Sequence, residues 1–202
     1  MGPLSGPLDW AVVGRALDGQ DESGDLHVVA PFEGGVLIGA IDGLGHGADA
    51  AIAARAAAEV LTSHPAESLL RLIERCHESL RSTRGAVITL ASFDTRRAEL
   101  TWMGVGNAEA VLLRADASIS EAAPLRGGIV GHRLPAFREA TVSVAEGDTL
   151  VFTTDGIRAG FSRIRSLLGS PGELAESIML EFGKPSDDAM VIVARYTGVD
   201  CR

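Results

Sequence analysis

Apolar residues in this chain fall into short runs, and the runs come in groups rather than alternating one by one with helices. The run from Val36 to Ile41 is continuous, which is typical of a strand buried in a protein interior. The polar segments 94–97 and 145–148 are short enough to be hairpin loops, so we expect the strands on either side of each to pair antiparallel. Eight strands are predicted, at residues 26–30, 35–42, 85–93, 98–105, 109–114, 141–145, 148–154 and 189–196.

Helical periodicity appears in the middle of the chain and again near its end. In the first predicted helix Ile52, Ala56 and Val60 share one stripe, as in an ordinary amphipathic helix. In the second, Pro65 occupies the first turn and Glu67 lies near the positive end of the helix. Because strands and helices occur in blocks, the sequence predicts an α+β fold. The predicted helices span about 48–62 and 65–80, with a shorter pair after residue 155, of which the second spans about 171–182.

Length and composition predict one domain. The 202 residues, 46% of them hydrophobic, are enough for a single domain over residues 1–202 with a substantial core. No apolar run approaches the roughly 20 residues that span a bilayer, and residues 1–7 lack the basic and apolar blocks of a signal peptide, so we expect a cytoplasmic protein. Cys76 and Cys201 are the only cysteines, and their positions favour free thiols over a disulfide framework or a zinc site.

The charge balance is acidic. The chain has 18 Lys and Arg against 27 Asp and Glu, a formal net charge of −9. Binding to the phosphate backbone of a nucleic acid requires clustered Lys and Arg, so we expect no nucleic-acid partner. The lack of a long apolar run likewise predicts no membrane partner. Part of the acidic excess belongs to the aspartates described next, whose mutual repulsion bound divalent cations would neutralise. We therefore expect metal to stabilise the fold.

An Asp-Gly pair follows an apolar strand at two places. Asp42-Gly43 follows the run that ends at Ile41, and further glycines at 45 and 47 permit a tight turn into a helix. Asp155-Gly156 follows a second apolar run and also precedes a predicted helix. A single Asp-Gly pair is a common turn dipeptide, but its repetition in the same context indicates a functional site.

Two further acidic positions lie at strand ends. Asp25 opens the strand 26–30, and Asp187-Asp188 immediately precedes the last strand. Mg²⁺ and Mn²⁺ prefer oxygen ligands, mostly carboxylates with some carbonyls and waters. Aspartates that converge from several strand ends would meet that preference. The alternative, in which each aspartate only caps a turn, explains every position singly and the set poorly.

Together these segments resemble the metal-dependent serine/threonine protein phosphatases of the type 2C class, and within it the small bacterial branch typified by sporulation protein E. The resemblance covers nearly the whole chain. Within that branch the chain looks most like the RsbX type of stressosome feedback phosphatase, because it is a bare catalytic domain and carries Gly104–Glu109. The segments that carry the resemblance are Ser23–Asp25, Asp42–Gly47, Gly147–Gly156 and Asp187–Asp188.

The resemblance implies a four-layer α-β-β-α sandwich, with two mainly antiparallel sheets and two divalent cations, Mn²⁺ or Mg²⁺, in a cleft at one edge. It implies that Asp42 bridges both cations and that the carbonyl of Gly43 completes one coordination sphere. Asp155 and Asp187 would bind the other cation, and Asp25 would hold a metal-bound water. The implied activity is hydrolysis of phosphoserine or phosphothreonine in a protein.

In the chemistry that this resemblance implies, a hydroxide that bridges the cations attacks phosphorus in line and no phosphoenzyme forms. The departing alkoxide must then be protonated. In the eukaryotic pattern a histidine directly follows the Asp-Gly pair, whereas here Leu44 does and the histidine is His46. We favour a loop-stabilising role for His46 over catalysis. Asp188 is interpreted as a supporting hydrogen-bond partner rather than a direct metal ligand.

The segment 115–140 leaves room for only a small mobile flap, which predicts an open site suited to a folded phosphoprotein. The RsbX likeness implies phosphorylated STAS-domain proteins (sulfate-transporter/anti-sigma-antagonist domains) of a stressosome as substrates, with the enzyme resetting that signal. Two alternatives stay open. One is a catalytically weak, metal-binding docking module, against which the joint presence of Asp42, Asp155 and Asp187 argues. The other is a two-metal hydrolase of small phosphate esters or nucleotides, which substrate preference would distinguish.

Overall fold

Two β-sheets packed face to face form the centre of the protein. The computed structural model describes residues 6–116, 119–161 and 169–198. Its strands are β1 (Leu8–Arg15), β2 (Asp25–Phe32), β3 (Gly35–Gly43), β4 (Ala86–Asp94), β5 (Glu99–Val105), β6 (Glu109–Leu113), β7 (Glu121–Ala122), β8 (Leu125–Arg126), β9 (Ala140–Ser143), β10 (Thr149–Thr153) and β11 (Ala189–Tyr196). Its helices are α1 (Ala48–Ser63), α2 (Leu69–Ser79) and α3 (Pro171–Phe182).

Each sheet carries helices on its outer face. Sheet 1 has the strand order β1-β11-β10-β6-β7, and sheet 2 has the order β2-β3-β4-β5-β8 with β9 also paired to β5. All pairs are antiparallel except β5 with β8. Helix α3 packs on β1 and β11, whereas α1 packs on β2 and β3. The predicted α+β sandwich with two mainly antiparallel sheets is confirmed.

The continuous apolar run in β3 follows from burial on both faces. Ile38 and Ala40 lie in the core between the sheets, together with Trp102 and Phe152. The alternate residue Ile41 faces the core beneath α1 and α2. Successive side chains of a strand point to opposite faces, so a strand between two apolar layers needs hydrophobic residues at every position. A third core lies between sheet 1 and α3.

The first helix has nearly the predicted bounds but buries a different face. Ile52, placed on its amphipathic stripe by the sequence pattern, is 50% exposed. The residues buried against sheet 2 include Ala50, Ala53, Ala57 and Leu61. Small side chains let the helix axis approach the sheet closely. The helix therefore buries its alanine face, and the larger Ile52 stays at the surface.

The predicted start of the second helix is wrong. Helix α2 begins at Leu69, and the side chain of Ser68 caps it by accepting a hydrogen bond from the backbone N–H of Arg71. Serine is a favoured N-cap because its oxygen satisfies an N–H that lacks a helical partner. Pro65 and Glu67 therefore precede the helix. Glu67 forms an ion pair with Arg75 at 2.7 Å instead of interacting with the helix end.

The two predicted hairpin loops have different outcomes. Residues 94–97 join β4 and β5, which pair antiparallel, and this prediction is confirmed. Residues 145–148 do not form a hairpin, because β9 pairs with β5 in sheet 2 whereas β10 lies between β11 and β6 in sheet 1. The segment crosses from one sheet to the other, and its turn is held by Asp148, which accepts a hydrogen bond from the backbone N–H of Ala145 at 3.0 Å.

Three further differences concern the ends and connections. Strand β1 was absent from the predicted strands, although it pairs with β11 over its whole length. Much of the segment proposed as a mobile flap is pinned to the sheets, because β8 pairs with β5 and Val130 exchanges backbone hydrogen bonds with Ala86. The first helix predicted after Asp155 falls partly on residues 162–168, which lie outside the described residues. Cys201 also lies outside them.

No helix in the described ranges is long and apolar enough to cross a bilayer.

Candidate metal centre and active site

Asp25 and Asp42 are direct neighbours across two strands. They are paired residues in the antiparallel register of β2 and β3. Asp25 is buried, with 8% of its surface exposed, and Asp42 is partly buried. Just beyond this pair, the backbone N–H of Gly43 donates to the carbonyl of Gly24 at 3.0 Å. The register of sheet 2 therefore places two carboxylates together at the end of the strand pair.

Gly43 is required by the close approach of α1. A Cβ atom at this position would lie 2.1 Å from the carbonyl oxygen of Ala50. Gly47, which precedes the helix, has φ 72°, a left-handed conformation that glycine adopts without steric cost. The glycines in the turn after Asp42 therefore bring the first turn of α1 against the end of β3, beside the aspartate pair.

Asp155 reaches the same region from sheet 1. It follows β10, and its Oδ2 accepts a hydrogen bond from Nδ2 of Asn107 at 3.0 Å. Its backbone carbonyl accepts a hydrogen bond from the ammonium group of Lys184. At the next residue, Gly156, a Cβ atom would lie 1.8 Å from the carbonyl oxygen of Asp188. Only glycine allows the two chain segments that carry Asp155 and Asp188 to pass so closely.

Thr154 connects the two sheets at the site. Its buried hydroxyl donates to Oδ2 of Asp25 at 2.6 Å and accepts from the backbone N–H of Met190 at 2.9 Å. The chain pattern alone predicted no role for Thr154 or Asn107. The signals that could have indicated them are that Thr154 directly precedes Asp155 and that Asn107 lies within the segment Gly104–Glu109.

The adjacent aspartates 187 and 188 have different surroundings. Asp188 is 4% exposed, and its carboxylate accepts hydrogen bonds from the backbone N–H groups of Leu17 and Gly24, both at 2.7 Å. Asp187 is partly exposed and accepts from the backbone N–H of Asp188 at 3.0 Å. These contacts favour a supporting role for Asp188 and leave Asp187 available to a ligand.

A cleft of about 520 Å³, open to solvent, brings these groups together. We call it the acidic cleft. His46 is exposed on its wall, whereas the buried Asp25 lies beneath it, in register with Asp42. Arg15 is exposed and donates to the carbonyl of Lys184. The lining residues include Asp42, Leu44, Gly45, His46, Val87, Asn107, Ile129, Asp155, Ser186 and Asp187.

Burial and mutual repulsion make the charged form of the cleft carboxylates unfavourable. Burial, followed by repulsion from the neighbouring carboxylates, raises the pKa of Asp42 to about 8. Burial is also the main cause that raises the pKa of Asp25 to about 7, against the lowering effect of the Thr154 hydrogen bond. The pKa of Asp187 is raised by burial and by Asp155. Such a cluster is stabilised by a nearby cation.

The donor set fits hard divalent cations. In the ranges 6–116, 119–161 and 169–198, no three His, Cys, Asp or Glu side chains form a ready metal-binding group. Mg²⁺ usually keeps several waters and binds through one or two carboxylates, so an open arrangement of carboxylates suits it. The residues that could hold metal are Asp42, Asp155 and Asp187, with Asp25 and the carbonyl of Gly43 adjacent.

Comparison with known proteins defines the class. The model of the family described as Stage II sporulation protein E (SpoIIE) matches residues 33–197. The chain is 22% identical over 181 residues to the phosphoserine phosphatase RsbX of Bacillus subtilis (strain 168), covering 89% of this chain and 90% of RsbX. A crystal structure of RsbX in complex with magnesium has a TM-score of 0.84 and 20% identity, over 94% of this chain and 96% of that one.

Two further structures extend the comparison. A chain from the structure described as "The bacterial stressosome: a modular system that has been adapted to control secondary messenger signaling" is 32% identical, with a TM-score of 0.86, over 93% of this chain and 99% of that one. The structure of the PP2C phosphatase domain and a fragment of the regulatory domain of SpoIIE from Bacillus subtilis has a TM-score of 0.72 and 20% identity, covering 94% of this chain and 64% of that one.

Fold and sequence together define a serine/threonine phosphatase of the PP2C type. Within that class the chain belongs to the SpoIIE family, since the family model covers most of its length. The family, the enzyme class and the likeness to RsbX predicted from the sequence are confirmed.

Proposed function

We propose that the protein is a metal-dependent phosphoserine/phosphothreonine protein phosphatase that uses two divalent cations, Mn²⁺ or Mg²⁺, in the acidic cleft. The observation that carries this proposal is the convergence of carboxylates from both sheets, none of which forms an ion pair with Lys or Arg among the described residues. Asp42 comes from sheet 2, Asp155 from sheet 1, and Asp187 from the loop before β11. When bound, the cations activate water as the nucleophile and neutralise the charge of the phosphate group.

The chain's own residues orient this site. Asp42 would hold both cations, and Asp155 and Asp187 would hold one of them from the opposite wall. Thr154 fixes the carboxylate of Asp25 beneath Asp42, and Asn107 fixes that of Asp155. His46 is exposed on the cleft wall, and we propose that it stabilises the loop rather than protonating the departing alkoxide.

The substrate proposed is a phosphorylated STAS-domain protein of a stressosome or a related anti-sigma-antagonist system, in the cytoplasm. Two findings support it. The relatives include the phosphoserine phosphatase RsbX and a chain from a stressosome structure. The cleft is also open to solvent, so a phosphoserine presented on a folded protein surface can reach Asp42 and Asp187. The whole chain, residues 1–202, is proposed to be one catalytic domain.

Phosphate release from a phosphorylated STAS protein tests the proposal. Release should require Mn²⁺ or Mg²⁺, stop with chelator and exceed release from a nucleotide or an aryl phosphate at equal concentration. Asp155→Asn should remove it, whereas Asp9→Asn, which makes the same change at an exposed position of β1, should not.

The same assay separates the two alternatives. Metal-dependent turnover of nucleotides or aryl phosphate, without turnover of the phosphoprotein, would indicate a hydrolase of small phosphate esters. Binding of the phosphoprotein without turnover of any substrate would indicate a docking module. Either result would overturn the proposed protein phosphatase.

A further inference from the structure

Lys184 contacts the site from outside the cleft. It is the only lysine among the 18 Lys and Arg residues of the sequence, and it lies in the loop between α3 and β11. Its ammonium group donates to the backbone carbonyl of Asp155. Its backbone N–H donates to the carbonyl of Gly156 at 2.7 Å, and its own carbonyl accepts from the Arg15 guanidinium. Lys184 therefore touches the main chain of a candidate metal ligand rather than its carboxylate.

The contacts of Lys184 end a longer attachment between α3 and the Asp155 corner. Ile157 and Gly183 form an antiparallel bridge. The backbone N–H of Arg158 donates to the carbonyl of Phe182 at 2.8 Å, and its guanidinium donates to the carbonyl of Glu181 at 2.7 Å. The final carbonyls of α3 are thus bonded to the turn that follows Asp155. Within this attachment, the side chain of Lys184 contacts Asp155 itself, whereas the side chain of Arg158 contacts the end of α3.

The charge of Lys184 also acts on the cleft. It interacts electrostatically with Asp187, three residues further along the same loop, and opposes the repulsion between Asp187 and Asp155. The half-buried ammonium group therefore provides a fixed positive charge beside two carboxylates that would otherwise repel each other. A hydrogen bond to a charged donor is stronger than one between neutral groups, so the carbonyl of Asp155 is held firmly.

We propose that Lys184 is a positioning residue for metal binding, which holds the main chain of Asp155 and keeps the Asp155 and Asp187 carboxylates in place before the cation arrives. This inference rests on the proposed function, because it assigns the cation to Asp155 and Asp187. Residues that orient metal ligands affect affinity although they do not touch the metal, and their substitution typically costs 10–100-fold in metal affinity. Lys184 has the contacts expected of such a residue.

Mn²⁺ affinity of the whole chain tests the role of Lys184. Free Mn²⁺ is measured by electron paramagnetic resonance, with no substrate present. Lys184→Met keeps the length and apolar stem of the side chain but removes the charge and the donor, and should weaken Mn²⁺ binding about tenfold. Lys184→Arg keeps both properties and should recover most of the affinity. Arg96→Met makes an equal change in net charge at the exposed β4–β5 loop and should leave the affinity unchanged.

Two results with Lys184→Met would overturn the proposal. Unchanged affinity would show that Lys184 only supports the loop. Tighter binding would show that its charge merely competes with the cation. Thermal unfolding of each variant in chelator accompanies the titration, so that an unfolded variant is recognised.

A measurement on the unmodified protein keeps the proposal testable even when Lys184→Met does not fold. Because the chain has one lysine, labelling with ¹⁵N-lysine yields a single Nζ signal. We expect that signal to show slow hydrogen exchange and to shift when Mg²⁺ is added. A signal with the exchange rate of a free lysine side chain, unmoved by Mg²⁺, would overturn the proposal. Neither measurement uses turnover. A protein whose Mn²⁺ affinity depends on Lys184 but that releases no phosphate would therefore refute the proposed function alone.

Discussion

Aspartate is buried in two regions of this protein with opposite consequences. Asp148 is 3% exposed and belongs to a cluster with Arg114 and Glu121, which we call the Arg114 cluster. The guanidinium of Arg114 donates to Asp148 at 2.7 Å and also to Glu121. The backbone N–H groups of Ala115 and Ala145 donate to the same Asp148 carboxylate at 2.9 and 3.0 Å. The Asp148 carboxylate therefore has a cationic partner and two backbone donors.

Asp25 and Asp42 at the acidic cleft have no ion-pair partner among the described residues. Asp25 is nearly as buried as Asp148, at 8%, yet its described side-chain partner is the neutral hydroxyl of Thr154, and its neighbour in register is another aspartate. The result is a raised pKa at both Asp25 and Asp42. A protein that retains such an arrangement lowers its own stability without a cation. The comparison distinguishes carboxylates that hold the fold together from carboxylates placed for a ligand.

The largest expected effect is on catalysis. Asp42→Asn should lower metal-dependent phosphate release about a thousandfold, equivalent to roughly 4 kcal/mol of transition-state stabilisation, because Asp42 is proposed to contact both cations. Its free energy of unfolding in chelator should stay equal or rise, since one repelling charge is removed. Phosphate release and urea unfolding check the two statements. Near-normal turnover by this variant would refute the role of Asp42.

In the Arg114 cluster the loss should be one of stability. Arg114→Met leaves Asp148 buried without its cation, and removing one partner of a buried ion pair costs about 3 kcal/mol. We expect a lower urea midpoint, with phosphate release per folded molecule unchanged. A variant as stable as the parent protein would show that the backbone N–H groups alone compensate Asp148.

The pH dependence of stability should reveal the uncompensated charges. A carboxyl whose pKa is raised in the folded state binds its proton more tightly there than in the unfolded chain. In chelator the free energy of unfolding should therefore fall as the pH rises from near the ordinary value of 3.8 through the folded values of about 7 for Asp25 and about 8 for Asp42. Urea unfolding across this range measures the slope.

Two additions sharpen that experiment. Asp42→Asn should make the free energy of unfolding depend less on pH, because the carboxyl with the more strongly raised pKa is removed. Mg²⁺ at 100 times its dissociation constant at neutral pH should add about 2.7 kcal/mol to the free energy of unfolding. The same Mg²⁺ concentration should add more at higher pH, because the carboxyls there are already deprotonated and bind the cation more tightly. An unchanged pH dependence in Asp42→Asn would contradict the assignment of that dependence to the Asp42 carboxyl.

A smaller effect is expected at the link between the sheets. Thr154→Val keeps the shape of the side chain but removes the donor to Asp25 and the acceptor for the Met190 N–H. We expect a loss of about 1–2 kcal/mol in stability and weaker Mn²⁺ binding, measured by titration calorimetry. Thr154→Ser, which retains the hydroxyl, is the matched control and should restore both.

The smallest effect should come from an exposed ion pair. Arg96 and Glu33 lie 3.1 Å apart with side chains 71% and 93% exposed. Exposed pairs typically contribute less than about 1 kcal/mol, so Glu33→Gln should shift the urea midpoint very little. A loss as large as that of Arg114→Met would show that burial is not what distinguishes the Arg114 cluster.

Much of the fold followed from local patterns. The strands with continuous apolar runs, the hairpin at 94–97 and helix α3 were predicted close to their observed positions. Predictions were wrong where a distant partner decides the structure. Strand β1 gains its place by pairing with β11, and residues 145–148 cross between sheets because Arg114 and two backbone N–H groups bind Asp148 there.

The residues that the site could use were readable from the chain alone, because Asp-Gly pairs after apolar strands are local features that do not depend on the fold. The division of those residues between ligand and support came from the folded arrangement. It turned Asp188 toward the N–H groups of Leu17 and Gly24 and left Asp187 on the cleft. The physical reason is that a carboxylate's role depends on which donors surround it, and those donors come from segments far apart in the chain.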